Sequence, residues 1–149
     1  MLKKPEYHPD SFYHWCEMDI RFRDLDPLNH VNNAVFNTYL EEARVKFVQS
    51  VPVFMNSMKE NKSFVLVHLE IDYLKPIFYN EKILIGSALE GLGNSSIDGF
   101  QAIYGKDNHE LKAVARTTGV WFDLSSQRPA RLPDIDRPEQ YLFKEIKNG

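Results

Sequence analysis

What most constrains this chain is one long helical stripe set between a polar loop and a series of strands. From Asn33 onward, Phe36, Leu40, Ala43, Phe47 and Val48 fall at i, i+4, i+7, i+11 and i+12, a single helical face that ends near Gln49 and Ser50. Val51-Pro52 stops it, because proline lacks the N–H and disfavours helical geometry in the residue before it. Asp24, Asp26, Pro27, Asn29, Asn32 and Asn33 are turn and N-cap residue types, so a polar loop runs straight into the helix start. Such a helix is roughly 25 Å long, and its first turn presents unpaired N–H groups with a partial positive charge. Two carboxylates just upstream make a place where an anion can be generated and held.

Everything around the helix reads as strand. His14 to Phe22 alternates Cys16, Met18, Ile20 and Phe22 with Glu17, Asp19 and Arg21. After the helix, Val53 to Lys59 forms a short extra turn and Glu60-Asn61-Lys62 a linker. Val65, Val67, Leu69, Ile71 and Tyr73 then alternate against Phe64, Leu66, His68, Glu70 and Asp72, closed by Lys75-Pro76. Three more strands follow, Glu81 to Leu89, Ser95 to Tyr104 and Leu111 to Phe122, turned at Gly91-Leu92-Gly93-Asn94 and Gly105-Lys106-Asp107-Asn108. Five strands joined largely by tight turns predict an α+β fold with a mostly antiparallel sheet. Ala113, Ala115 and Gly119 are small enough to lie under the helix. The pattern predicts a single domain over 1–149 with its core at roughly 14–124. Residues 1–13 are expected as a loose polar arm, 125–137 as a polar tail and Pro138 to Lys147 as a short terminal helix. One helix covers only one sheet face, so edges and the opposite face call for a second copy, a sheet-to-sheet homodimer or a homotetramer.

Composition excludes several classes of function. At 149 residues with 43% apolar and 26% charged residues, the chain is an ordinary globular one. A net charge of −3 gives no electrostatic case for nucleic acid or anionic membrane. The lone Cys16 forms no disulfide within the chain and reads as a buried small side chain. Without an apolar leader or an 18-residue apolar run, the expected location is the cytoplasm.

The string Asp24-Leu25-Asp26-Pro27-Leu28-Asn29-His30-Val31-Asn32-Asn33-Ala34, followed by Tyr39-Leu40-Glu41-Glu42-Ala43-Arg44, closely resembles the loop-and-helix signature of hot-dog-fold acyl-CoA thioesterases. The nearest branch is the 4-hydroxybenzoyl-CoA thioesterase-like one, which includes bacterial long-chain acyl-CoA thioesterases of fatty acid metabolism. Plant acyl-ACP thioesterases share the D-x-D-x-x-x-H-V-N-N string but carry an asparagine where this chain has Leu28. The resemblance implies a hot-dog fold, one long helix wrapped by the sheet, and hydrolysis of an acyl-CoA thioester without cofactor or metal. It also implies that Asp26 is the catalytic carboxylate, as general base or nucleophile, and that the backbone N–H of Asn33 polarises the thioester carbonyl. His30 is expected to orient Asp26 or a substrate carbonyl, and Asn32, Phe36, Tyr39 and Lys75 to contact substrate.

Plainer roles stand beside these. Asp26 is also a turn residue before Pro27, Asp24 reads as structural or orienting, and Asn32 and Asn33 are good N-caps. His68, Glu70 and Asp72 share a strand face, which an alternating polar exterior explains better than a metal site. The alternatives to acyl-CoA hydrolysis are a non-catalytic acyl or acyl-carrier binding module and an acyl-ACP thioesterase.

Overall fold

In the computed structural model, which describes residues 1–148, the apolar stripe forms α1 (Asn33–Gln49). Asn32 caps it, its Oδ1 accepting the Ala34 N–H at 2.9 Å. Phe36, Leu40, Ala43 and Phe47 are buried along one face as their spacing requires. Glu42 and Lys46 pair at 3.6 Å on the solvated side. Pro52 both stops α1 and opens α2 (Pro52–Met58), a fuller element than the single turn expected, because proline suits a first helical position.

The strands are β1 (His14–Asp19), β2 (Lys62–Tyr73), β3 (Lys82–Leu92), β4 (Ser96–Gly105), β5 (Leu111–Asp123) and a two-residue β6 (Arg128–Pro129) absent from the sequence expectation. They form one antiparallel sheet in the order β1-β3-β4-β5-β2, with β6 on β5. A curled antiparallel sheet around a central helix is the hot-dog architecture. Alternation places Ile83, Ile85, Ile103, Ala113 and Ala115 against Phe36, Leu40 and Ala43 of α1. Farther along, Phe47, Phe54, Leu89 and Trp121 close a second cluster with α2 and Tyr141.

Several expectations are corrected. β1 stops at Asp19, short of Phe22, because the Asp24 carboxylate takes the Arg21 N–H at 3.2 Å and winds Phe22–Asp24 into a 3₁₀ turn. The terminal helix is only a 3₁₀ turn at Pro138–Tyr141. Beyond it the chain is extended, since the Phe143 N–H donates to the Leu89 carbonyl at 2.8 Å and draws it onto β3. The N-terminal arm is not loose. Leu2 and Phe12 are buried on the outer sheet face with Phe100, Tyr104 and Val114, and Phe143 packs against them. Both chain ends thus cover much of the face that had been assigned to a second copy. The sheet's edge strands are β1 and β2, and along the β2 edge Val65, Leu66 and Val67 are exposed beside a bulge at Leu66/His68. No helix among the described residues is long and apolar enough to cross a membrane.

Candidate active site

The loop before α1 is a tight ribbon folded back on itself. Leu25 bridges Val31, the Asp26 N–H donates to the His30 carbonyl at 2.9 Å, and the Asn32 N–H donates to the Asp24 carbonyl at 3.0 Å. Its tip turns through Asn29, whose φ of 66° is a left-handed geometry that asparagine tolerates. The ribbon is tied inward by Asp24, only 2% exposed, which accepts the Arg21 guanidinium at 2.9 Å and the Tyr39 hydroxyl at 2.6 Å. Burial alone pushes the Asp24 carboxyl up, but hydrogen bonds from Arg21 and Tyr39 outweigh it and hold the group below its ordinary value. Burial, and then Asp24, push the Tyr39 hydroxyl well above the usual phenol range.

With Asp24 taken up by Arg21 and Tyr39, Asp26 is the more accessible carboxylate of the pair. Its Oδ1 accepts the Leu28 N–H at 2.8 Å, and its Oδ2 lies 3.5 Å from His30 Nδ1. The side chain is 23% exposed, shielded yet open to solvent. A few residues on, the Asn33 N–H opens α1 with no protein acceptor among the described residues, because Asn32 serves Ala34 and Val35 instead. A helix-end N–H of this kind stabilises an oxygen that gains negative charge. The Tyr73 hydroxyl donates to the Asn33 carbonyl at 3.2 Å and ties the helix start to the end of β2.

Asp26, His30, Asn32 and Asn33 are therefore together in one loop. Phe36 is buried below it, edge-on to Tyr73 at 5.2 Å between ring centres. Tyr39 turns its hydroxyl onto Asp24 and contributes to the site through the loop it anchors. Lys75 is exposed on the connection between β2 and β3, where the Ile77 carbonyl accepts the Val31 N–H at 2.8 Å. Lys112 holds that connection. Its side chain is 3% exposed, and its ammonium reaches the Pro76 carbonyl at 3.1 Å and the carboxylates of Glu81 and Glu110 at 3.0 Å each. Of the three residues weighed for a metal, His68 and Glu70 pair at 3.0 Å while Asp72 accepts the Leu2 N–H at 3.0 Å, so the arm takes the third carboxylate.

A cavity of about 400 Å³ lies beside the C-terminal half of α1, and Asp26 is not among its wall residues. Arg44, Val48, Phe64, Leu66, Gln101 and Thr117 are on its wall. Sequence reasoning missed Arg44 as a wall residue, although a lone arginine next to Ala43 on the buried stripe was a usable signal. It also missed Arg21, although its partner Asp24 is only three positions on, and Tyr73, whose partner Asn33 is distant along the chain.

A sequence profile of the thioesterase-like superfamily matches residues 20–138. An acyl-acyl carrier protein thioesterase of the Arabidopsis thaliana chloroplast is 26% identical over 134 residues, covering 89% of this chain and 70% of that protein. A second plant protein of the same description is matched over 64% of its length, so this chain spans about two thirds of those relatives. The long-chain acyl-CoA thioesterase FadM of Escherichia coli is 31% identical over 116 residues, 78% of this chain and 88% of FadM. Among solved structures, a thioesterase of Thermus thermophilus in complex with coenzyme A and zinc superposes with a TM-score of 0.71 at 38% identity, over 83% of this chain and 94% of that one.

Proposed function

The chain belongs to the thioesterase-like superfamily, and from that premise we propose that it hydrolyses acyl-CoA thioesters to a free acid and CoA. The observation that carries this reading is the half-buried Asp26 carboxylate in the same short ribbon as the unoccupied N–H of Asn33. Asp26 takes a proton from water, and the hydroxide formed adds to the thioester carbonyl. The carbonyl oxygen, now an anion, rests against the Asn33 N–H at the positive end of α1. Collapse of the adduct breaks the C–S bond and expels the CoA thiolate, a leaving group that needs little protonation. Direct attack by Asp26, through a mixed anhydride, uses the same parts. His30, beside the Asp26 carboxylate, orients it. Coenzyme A on the Thermus thermophilus relative supports CoA as the carrier, with Lys75 near the loop to meet its phosphates.

The active assembly is a homodimer joined along β2. β2 starts beside the cavity, at Ser63 and Phe64, and ends at Tyr73, beside the helix start. Antiparallel pairing of two β2 edges brings the Tyr73 end of one copy to the Lys62 end of the other. The Asp26 loop of each protomer then stands next to its partner's cavity, which accounts for the absence of Asp26 from the cavity wall within one chain.

The test is thiol release from a panel of short, long and aromatic acyl-CoAs, with acyl-carrier thioesters alongside. Asp26→Asn keeps the shape of the side chain and removes the base, so turnover falls by ~10² or more while the unfolding transition stays put. Turnover at the wild-type rate in that variant ends the assignment.

A further inference from the structure

Arg44 lies on the wall of the 400 Å³ cavity with one hydrogen bond, from Nη1 to Gln101 Oε1 at 3.4 Å, a long contact with a neutral group. No carboxylate among the described residues forms an ion pair with it. A guanidinium carries five donors, so most of its capacity is unused. Gln101 is itself fixed, 2% exposed, its Nε2 donating to the Leu40 carbonyl at 3.1 Å and to Ser87 Oγ at 2.9 Å. The hydroxyls of Ser87 and Thr117, also on the wall, have no protein acceptor among the described residues. Phe47, Phe64, Leu66, Leu89 and Ile97 make the remainder of the lining largely apolar. A charge partly withdrawn from water among such groups is costly, and burial lowers Arg44 from its ordinary value although the Glu41 carboxylate acts in the opposite direction. Glu41 is also on this wall, but it is exposed and forms no ion pair with Arg44, so the donors with capacity to spare here include the Arg44 guanidinium and the Ser87 and Thr117 hydroxyls. The complementary ligand is an apolar chain that ends in an acceptor, and the strongest acceptor for a guanidinium is a carboxylate.

We infer that this cavity is an acyl subsite for thioesters whose acyl chain ends in a second carboxylate, which Arg44 binds with the Ser87 and Thr117 hydroxyls beside it. The inference rests on the hydrolase reading above and narrows its substrate class to dicarboxylic monothioesters. The volume lies within the ~300–1,000 Å³ of small-molecule sites, and the apolar walls carry the methylenes between the two ends.

The experiment compares hexanoyl-, octanoyl- and decanoyl-CoA with hexanedioyl-, octanedioyl- and decanedioyl-CoA in the wild type, Arg44→Met and Thr117→Val. At one chain length or more, the wild type favours the dioyl substrate in kcat/KM by about tenfold or more, the discrimination expected of a charge-assisted hydrogen bond in a dry site. Arg44→Met reverses that preference, and Thr117→Val reduces it. A wild-type ratio near one, or a ratio unchanged in Arg44→Met, overturns the subsite. So does an equal rise in KM for both series, which places Arg44 on the CoA portion they share. Dissociation of Arg44→Met into monomers on sedimentation also overturns it, because the missing counter-charge is then a partner's carboxylate. If none of the six thioesters releases thiol, the hydrolase reading fails by itself. The subsite is then judged by calorimetry with octanedioate against octanoate, where tighter binding of the diacid, lost in Arg44→Met, upholds it and equal binding refutes it.

Discussion

Tyr39→Phe isolates the contact that ties the Asp26 loop to α1. The ring is 5% exposed and keeps its packing, so the change removes little beyond the 2.6 Å hydrogen bond from the Tyr39 hydroxyl to Asp24. A hydrogen bond to a charged group contributes about 1.5–3 kcal/mol, and Asp24 keeps its Arg21 partner, so the expected loss is about 2 kcal/mol. In a chain of this size that lowers Tm by roughly 4–8 °C. The pH dependence has a definite sign. The folded Asp24 carboxyl is held below its ordinary 3.8, so its contribution is present above that value and is lost as pH falls through the folded pKa. Tyr39→Phe lets Asp24 rise, so the stability gap between wild type and variant is widest near neutrality and narrows in acid. The raised Tyr39 hydroxyl adds stability that is complete below its ordinary 10.0 and is lost as pH rises through the higher folded value, so the gap narrows in strong base as well. Urea unfolding at fixed protein concentration and several pH values measures it. A gap under about 0.5 kcal/mol at neutrality, within the range of inert surface changes, or one that widens in acid, refutes the role given to this contact.

Other outcomes follow from the same geometry. Val67→Asp sets like charges across two paired β2 edges at a residue 58% exposed, so sedimentation should show monomers and thiol release should drop sharply; an unchanged dimer moves the interface elsewhere. Lys112→Met strands Glu81 and the Pro76 carbonyl, costing about 3–5 kcal/mol in denaturant and slowing thiol release through the 74–81 connection. Gly86→Ala places a Cβ 2.5 Å from the Phe12 ring, so the N-terminal arm should lift and be cut faster by protease, with a stability loss of about 1–3 kcal/mol.

Local periodicity and residue type were enough to identify α1, five of the strands, the polar ribbon and its pair of acids. A helical stripe or an alternating strand is written in neighbours a few positions apart, and so are an Asn N-cap and a left-handed Asn at a turn tip. Partners distant along the chain were outside that reach. The Leu2 N–H on Asp72, Phe12 on Phe100, and Phe143 on Leu89 turn two segments read as arm and tail into a cover for the outer sheet face. The Tyr39 hydroxyl, on a different element, decides which aspartate is structural; Arg21 is only three positions from Asp24, yet no periodicity marks the pairing that ends β1 early. Likewise, no pattern in the chain sets the cavity and Arg44 at the opposite end of the helix from Asp26. A sequence carries the period of each element, but which far-off groups meet depends on how the sheet curls around the helix, and only the folded chain settles that.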